Sequence, residues 1–187
     1  HFNQKVKNMD SKTKGMVMAG MVVLSLVLGL LAVLGSSWMT ASEDGFEANY
    51  GLNEGEVEMT IMGATMSNTV NWSDGCEVAE ENDGDDDSCD MATAGTIGTI
   101  GLWVGIVMAG LFAAMMILPM AGIDAMDGMP DIAQKLISWG AGGMMLLGTI
   151  GWMIMSPEVP DEVGYGMSFF MAIIAGVLGL AAPAMEM

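Results

Sequence analysis

The chain has 187 residues, 52% of them hydrophobic, and a mean hydropathy of +0.50, which excludes an ordinary soluble domain unless the apolar residues are gathered into separate stretches. Its 23 acidic residues against five lysines and no arginine give a net charge of -18, a sign that repels nucleic acid and anionic lipid. The only histidine is His1, and with no recognisable nucleophile, phosphate loop or metal triad the inventory points away from an enzyme.

Residues 1–14 carry Lys5, Lys7, Lys12 and Lys14 and read as a cytoplasmic N-terminus, because segments beside a span retain positive charge on that side. "HFNQKVKN" before Met9 can be upstream sequence, with "MDSKTKG" the natural start. The first transmembrane helix is predicted over 15–35. Its uncharged core from Met16 to Leu34 exceeds the apolar region of a signal peptide, so an uncleaved helix is expected.

Residues 36–94 form the large first extracellular loop and hold most of the carboxylates. Within it Val57, Met59 and Ile61 alternate with Glu56, Glu58 and Thr60, and after "GAT" Met66, Val70 and Trp72 alternate with Ser67, Thr69 and Asn71. This period of two predicts an antiparallel hairpin with an acidic outer face, one that must gain another strand or rest on the helix ends to be stable. Cys76 and Cys89, the only cysteines, lie on the oxidising side and are expected to form a disulfide, the alternatives being free thiols or a metal pair. "NWS" makes Asn71 a formal glycosylation acceptor.

Three further spans are predicted over 95–120, 136–156 and 167–185, separated by a cytoplasmic loop at 121–135 and a short second extracellular loop at 157–166, with 186–187 as a cytoplasmic C-terminal tail. Each uncharged run reaches the roughly 20 residues that a bilayer-crossing helix needs. Lys135 opens the third span on the same side as the N-terminal lysines, so an even number of crossings accounts for every lysine. Stripes of small residues, including Gly29 in the first span, Gly98, Gly101 and Gly105 in the second and Gly176 and Gly179 in the fourth, predict a close-packed bundle. "GLWVG" at 101–105 also has the form of a dimerisation motif. The 23 methionines are scattered over all four spans and read as flexible filler instead of a copper site. The runs themselves contain no ionisable group, which disfavours active transport.

Four helices with a large first loop, tryptophan just after the first span at Trp38, "GL" at Gly51 and Leu52, then Trp72 ahead of Cys76 and Cys89, resemble the claudin and peripheral-myelin-protein superfamily. The departures are a missing tryptophan after Leu52, an extra residue between Trp72 and Cys76, wider cysteine spacing, no arginine, and a short second outer loop. The resemblance implies an all-α membrane protein, a four-helix transmembrane bundle with a small disulfide-linked antiparallel β-sheet in the first extracellular loop, seated in the cell membrane with both termini cytoplasmic. A second resemblance is local. "NDGDDDSCD" at 82–90 is similar to the calcium repeats of thrombospondin type 3, which would make Asp83, Asp85, Asp87 and Asp90 candidate Ca2+ ligands, against the alternative of a solvated acidic loop.

The reading that unites these features is a structural or interaction protein that contacts the lipid bilayer, a second copy or other membrane proteins, and cations at its outer face. A cation-selective pore or channel accessory subunit is the alternative.

Overall fold

The computed structural model describes residues 11–61, 63–81, 87–119, 122, 129–158 and 162–185. Helix α1 spans Ser11–Leu34. Four strands follow, β1 Met39–Glu43, β2 Phe46–Tyr50, β3 Glu54–Ile61 and β4 Ala64–Asn71. Then come α2 Trp72–Glu81, α3 Asp87–Ile117, α4 Asp131–Met155, a two-residue strand β5 Gly164–Tyr165, and α5 Met167–Ala184. Helices α1, α3, α4 and α5 are long and apolar enough to cross a membrane. The protein is a multi-pass membrane protein with a four-helix bundle and one antiparallel sheet at one end.

Uncharged runs of this length become helices because a bilayer offers no water to the backbone, so every N–H and C=O must find its partner within the segment. In ring order the bundle runs α1, α3, α4, α5 and back to α1, with α3 and α5 scarcely touching across the middle. Two helix starts lie earlier than the uncharged runs suggest. Helix α3 begins at Asp87 instead of 95, so its first two turns carry Asp87, Cys89 and Asp90 above the apolar stretch. Helix α4 begins at Asp131 just after Pro130, with that carboxylate in its first turn beside the positive end of the helix dipole.

Lipid supplies no hydrophobic drive between helices, and the packing relies on backbone approach at glycine. Gly101 of α3 lies directly on Gly148 of α4: a Cβ on Gly148 would sit 2.9 Å from the Gly101 Cα. Gly105 faces the Ala141 carbonyl and Met145, and Gly98 packs under Leu52 and Trp152. Gly29 of α1 meets Met145 and Ile106, each just over 3 Å from a built Cβ. Across the α4–α5 contact a Cβ on Gly179 would lie 2.7 Å from the Gly142 Cα, and one on Gly176 would strike Leu146. Gly101 and Gly105 are therefore both buried inside the bundle, where the "GLWVG" motif meets α4 of its own chain. One buried polar bond joins α1 to α5, from the Ser25 hydroxyl to the Ala175 carbonyl at 2.6 Å.

The sheet is larger than the predicted hairpin. Its order is β4-β3-β2-β1-β5, antiparallel throughout. "MTASEDGFEANY" supplies β1 and β2 through a tight turn at Asp44 and Gly45, where Gly45 takes φ +81°, a left-handed conformation that suits glycine. Strand β5 comes from the second predicted extracellular loop and pairs Tyr165 with Met39, so the two loops share one sheet at one end of the bundle. Residues 72–81, expected to continue the loop after the hairpin, are helical, and Trp72 starts the helix instead of ending a strand.

Replacing Gly101 with Leu forces a side chain into the α3–α4 backbone contact. Overpacking of this kind costs about 1–3 kcal/mol, so the Gly101→Leu protein should unfold measurably earlier than the parent in a detergent thermal melt, whereas Leu147→Ala on the exposed side should not.

Candidate interaction surface

The sheet domain is seated on the bundle by aromatic residues. Trp38 is fully buried and its Nε1 donates to the Ala32 carbonyl at 2.9 Å, which turns the chain out of α1. Its ring meets the edge of Trp152 at a 4.9 Å centroid distance and Phe169 at 6.2 Å, and Tyr165 stacks on Phe169 at 4.3 Å. The backbone there is held from both sides: Trp38 N–H donates to Tyr50, Gly166 N–H to the Trp38 carbonyl, and Ser168 N–H to Ser37. Trp152 is buried too, and its Nε1 has no acceptor among the described residues.

A second seat forms around Trp72. Its Nε1 donates to the Gly51 carbonyl at 3.2 Å, its backbone N–H donates to Asn53, and its ring stacks on Tyr50 at 6.1 Å. The indole lies over Gly55, where a Cβ would strike the ring, so only glycine fits that strand position. Leu52 is buried against Gly98, and its carbonyl lies against Gly95 at a distance that leaves no room for a Cβ. The sequence-predicted residues Trp38, Gly51, Leu52 and Trp72 thus all lie at the junction between sheet and bundle. Their partners Trp152, Phe169 and Tyr50 were not foreseen, because aromatic partners far apart in sequence leave no periodic signal.

Cys76 and Cys89 form a disulfide with a Cα–Cα distance of 4.5 Å. It joins α2, which follows directly on β4, to the first turn of α3. Glu80 lies close enough to share a metal with both sulfurs, yet the sulfurs are bonded to each other and offer no thiolate. Of the candidate calcium ligands, Asp83 and Asp85 lie outside the described residues. Asp87 and Asp90 are exposed and occupy the first turn of α3, three residues apart on one helical face.

The register divides the sheet into two chemically different faces. One carries Glu47, Glu56, Glu58, Ser67 and Thr69, and here Glu47 stands directly opposite Glu58. The other is mainly apolar, carrying Met39, Ala41, Phe46, Ala48, Tyr50, Val57, Met59, Ile61, Met66 and Val70, with Glu43 and Asn68 as its polar members. Near the bundle this apolar face is buried, with Ala48 at 0% exposure, whereas towards the β3–β4 turn Met59, Ile61 and Met66 are exposed by 46, 59 and 68%. The alternation predicted for β3 and β4 is thus correct, but the far half of the apolar face is open. Strand β4 is also the sheet edge, with all eight residues exposed and none charged. At its end Asn71 accepts hydrogen bonds through Oδ1 from the Ser73 N–H and hydroxyl, capping α2.

No protein-family model matches this chain, and no curated protein matches its sequence. The geometry of the sheet domain therefore carries the functional reading. Removing the disulfide with Cys76→Ser and Cys89→Ser restores the freedom of a loop spanning 13 residues of sequence separation, a loss of about 3 kcal/mol in the chain-entropy estimate. The expected result is a lower melting temperature, with amide exchange rising first in α2 and at the start of α3.

Proposed function

We propose that this is a claudin-like, non-catalytic interaction protein of the cell membrane, with cytoplasmic termini and a sheet domain displayed outside to a protein partner. The observation that carries this reading is the exposed apolar group Met59, Ile61 and Met66 on a sheet whose opposite face is acidic. Exposed apolar clusters rimmed by polar residues mark contact surfaces more often than chance, whereas scattered apolar residues do not. The aromatic seat supports the same reading, because a rigid anchor holds the contact surface at fixed height and angle. Lysine placement supports the orientation: Lys14 and Lys135 stand at the bundle end opposite the sheet.

A photo-reactive amino acid at Met66 should yield a discrete cross-linked adduct in native membranes, and one at Glu56 on the acidic face should not. Equal labelling at both positions, or none at Met66, would overturn the contact surface.

One feature favours the cation-facing alternative, in which the protein forms or lines a cation pathway. Glu47 and Glu58 oppose each other on adjacent strands, and residues 36–94 contain no lysine or arginine to offset them. Like charges directly opposite destabilise a sheet. Glu58→Gln should therefore raise the melting temperature at low salt by an amount on the order of 2 °C, and the gain should shrink in molar salt. If calcium or magnesium raises the parent's melting temperature to that of Glu58→Gln at far lower concentration than sodium does, the cation pathway is favoured over the protein contact.

A further inference from the structure

We propose that Asn71 is an N-glycosylation site, carrying a saccharide on its Nδ2 at the membrane-proximal end of β4; this rests on the outward orientation of the sheet domain given above. Asn71-Trp72-Ser73 is the only Asn-X-Ser/Thr sequence in the chain. The fold presents it in a form that leaves the reacting atom open. Asn71 is exposed, its Oδ1 is occupied by the Ser73 N–H and hydroxyl at 3.0 and 2.6 Å, and its Nδ2 has no partner among the described residues. The cap on α2 uses only the oxygen, so a substituent on nitrogen leaves the helix start intact.

The surroundings have room for a sugar. An open cavity of about 250 Å³ adjoins Asn71, between the base of the sheet and the second and third turns of α3. That is several times the roughly 30 Å³ share of one water in the liquid and below the roughly 300–1,000 Å³ of a drug-sized pocket. Its lining offers the polar groups of Asn53, Ser73 and Thr96 beside Trp72, and no charged side chain lines it. In a chain of net charge -18, an uncharged, amide- and hydroxyl-lined recess suits a neutral polyhydroxyl group.

The placement also bears on the edge. Strand β4 has eight exposed residues with neither lysine nor proline, the usual devices that discourage edge-to-edge pairing. A saccharide on its last residue covers the membrane-proximal end, and leaves Met59, Ile61 and Met66 near the β3–β4 turn uncovered. Attachment requires a lipid-diphosphate-linked saccharide and its transferase. The Nδ2 forms a bond to the anomeric carbon, the carbon–oxygen bond to the diphosphate breaks with its electron pair leaving on the lipid diphosphate, and one Nδ2 proton passes to a base of the transferase. No oxidation or reduction occurs.

The test is intact mass spectrometry of the full chain purified from a host with N-linked glycosylation, alongside Asn71→Gln, Ser73→Ala, and Asn71→Gln combined with Asp86→Asn, which places a reporter acceptor before Ser88. The expected result is a mass gain of one or more sugar residues that both single variants lose and that a peptide:N-glycosidase removes. An unmodified parent with a modified reporter would overturn the Asn71 site while leaving the orientation standing. An unmodified parent and reporter together would overturn the site and the outward orientation on which it rests. A gain that persists in Asn71→Gln would place the sugar elsewhere and equally refute the proposal.

Discussion

The hydrogen bond from the Trp38 indole to the Ala32 carbonyl fixes how the chain leaves the membrane, and the sheet domain follows from it. A helix ends with carbonyls that lack intrahelical partners, and an indole is a large apolar body with a single donor. Placed four residues beyond the last helical residue, Trp38 satisfies one of those carbonyls and fills the space between α1, α4 and α5 with its ring. Because its own backbone bonds to Tyr50 and Gly166, the same residue starts the β1–β2 pairing and ties it to the turn before α5. Strands far apart in sequence are thereby held to one point before their ladders add to the stability.

Below that point the bundle obeys a different rule. Hydrocarbon outside and hydrocarbon inside are equally apolar, so packing depends on how closely surfaces fit. Gly101 on Gly148 and Gly142 on Gly179 bring α4 against both neighbours through bare backbone, and Ser25 adds a hydrogen bond where α1 meets α5. Helix α4 thus meets each of its two ring neighbours through glycine.

That difference explains what was legible beforehand. The spans were readable because hydrophobic length is a one-dimensional property, and β3 and β4 because alternation within a strand is local. The disulfide was readable from two cysteines and a compartment. The role of Gly142 is not legible in the sequence, because Gly140 and Gly143 stand close by and choosing which of them faces a neighbour requires the crossing geometry. Strands β1 and β2 do carry a local signal, the "DG" between two alternating runs that marks a hairpin turn. Strand β5, with two residues, carries no periodicity, and its pairing with Met39 is purely tertiary. Helix α2 was missed because an acidic, glycine-containing stretch resembles a loop in composition; its capping by Asn71 and its disulfide to α3 provide what composition does not.

The four spans also differ in reach. Helix α5 has 18 residues and α3 has 31, so at 1.5 Å per residue they extend about 27 and 46 Å, against a hydrocarbon thickness of roughly 30 Å. The short helix acts as the ruler. It begins one residue after β5, and Gly166 at its start is bonded to Trp38, so it cannot slide without carrying the sheet with it. Hydrophobic mismatch is relieved by tilting when a helix is too long and by local thinning of the bilayer when it is too short. Any tilt or vertical shift of α5 in the bilayer is therefore passed directly to the sheet, which moves with the span it is tied to.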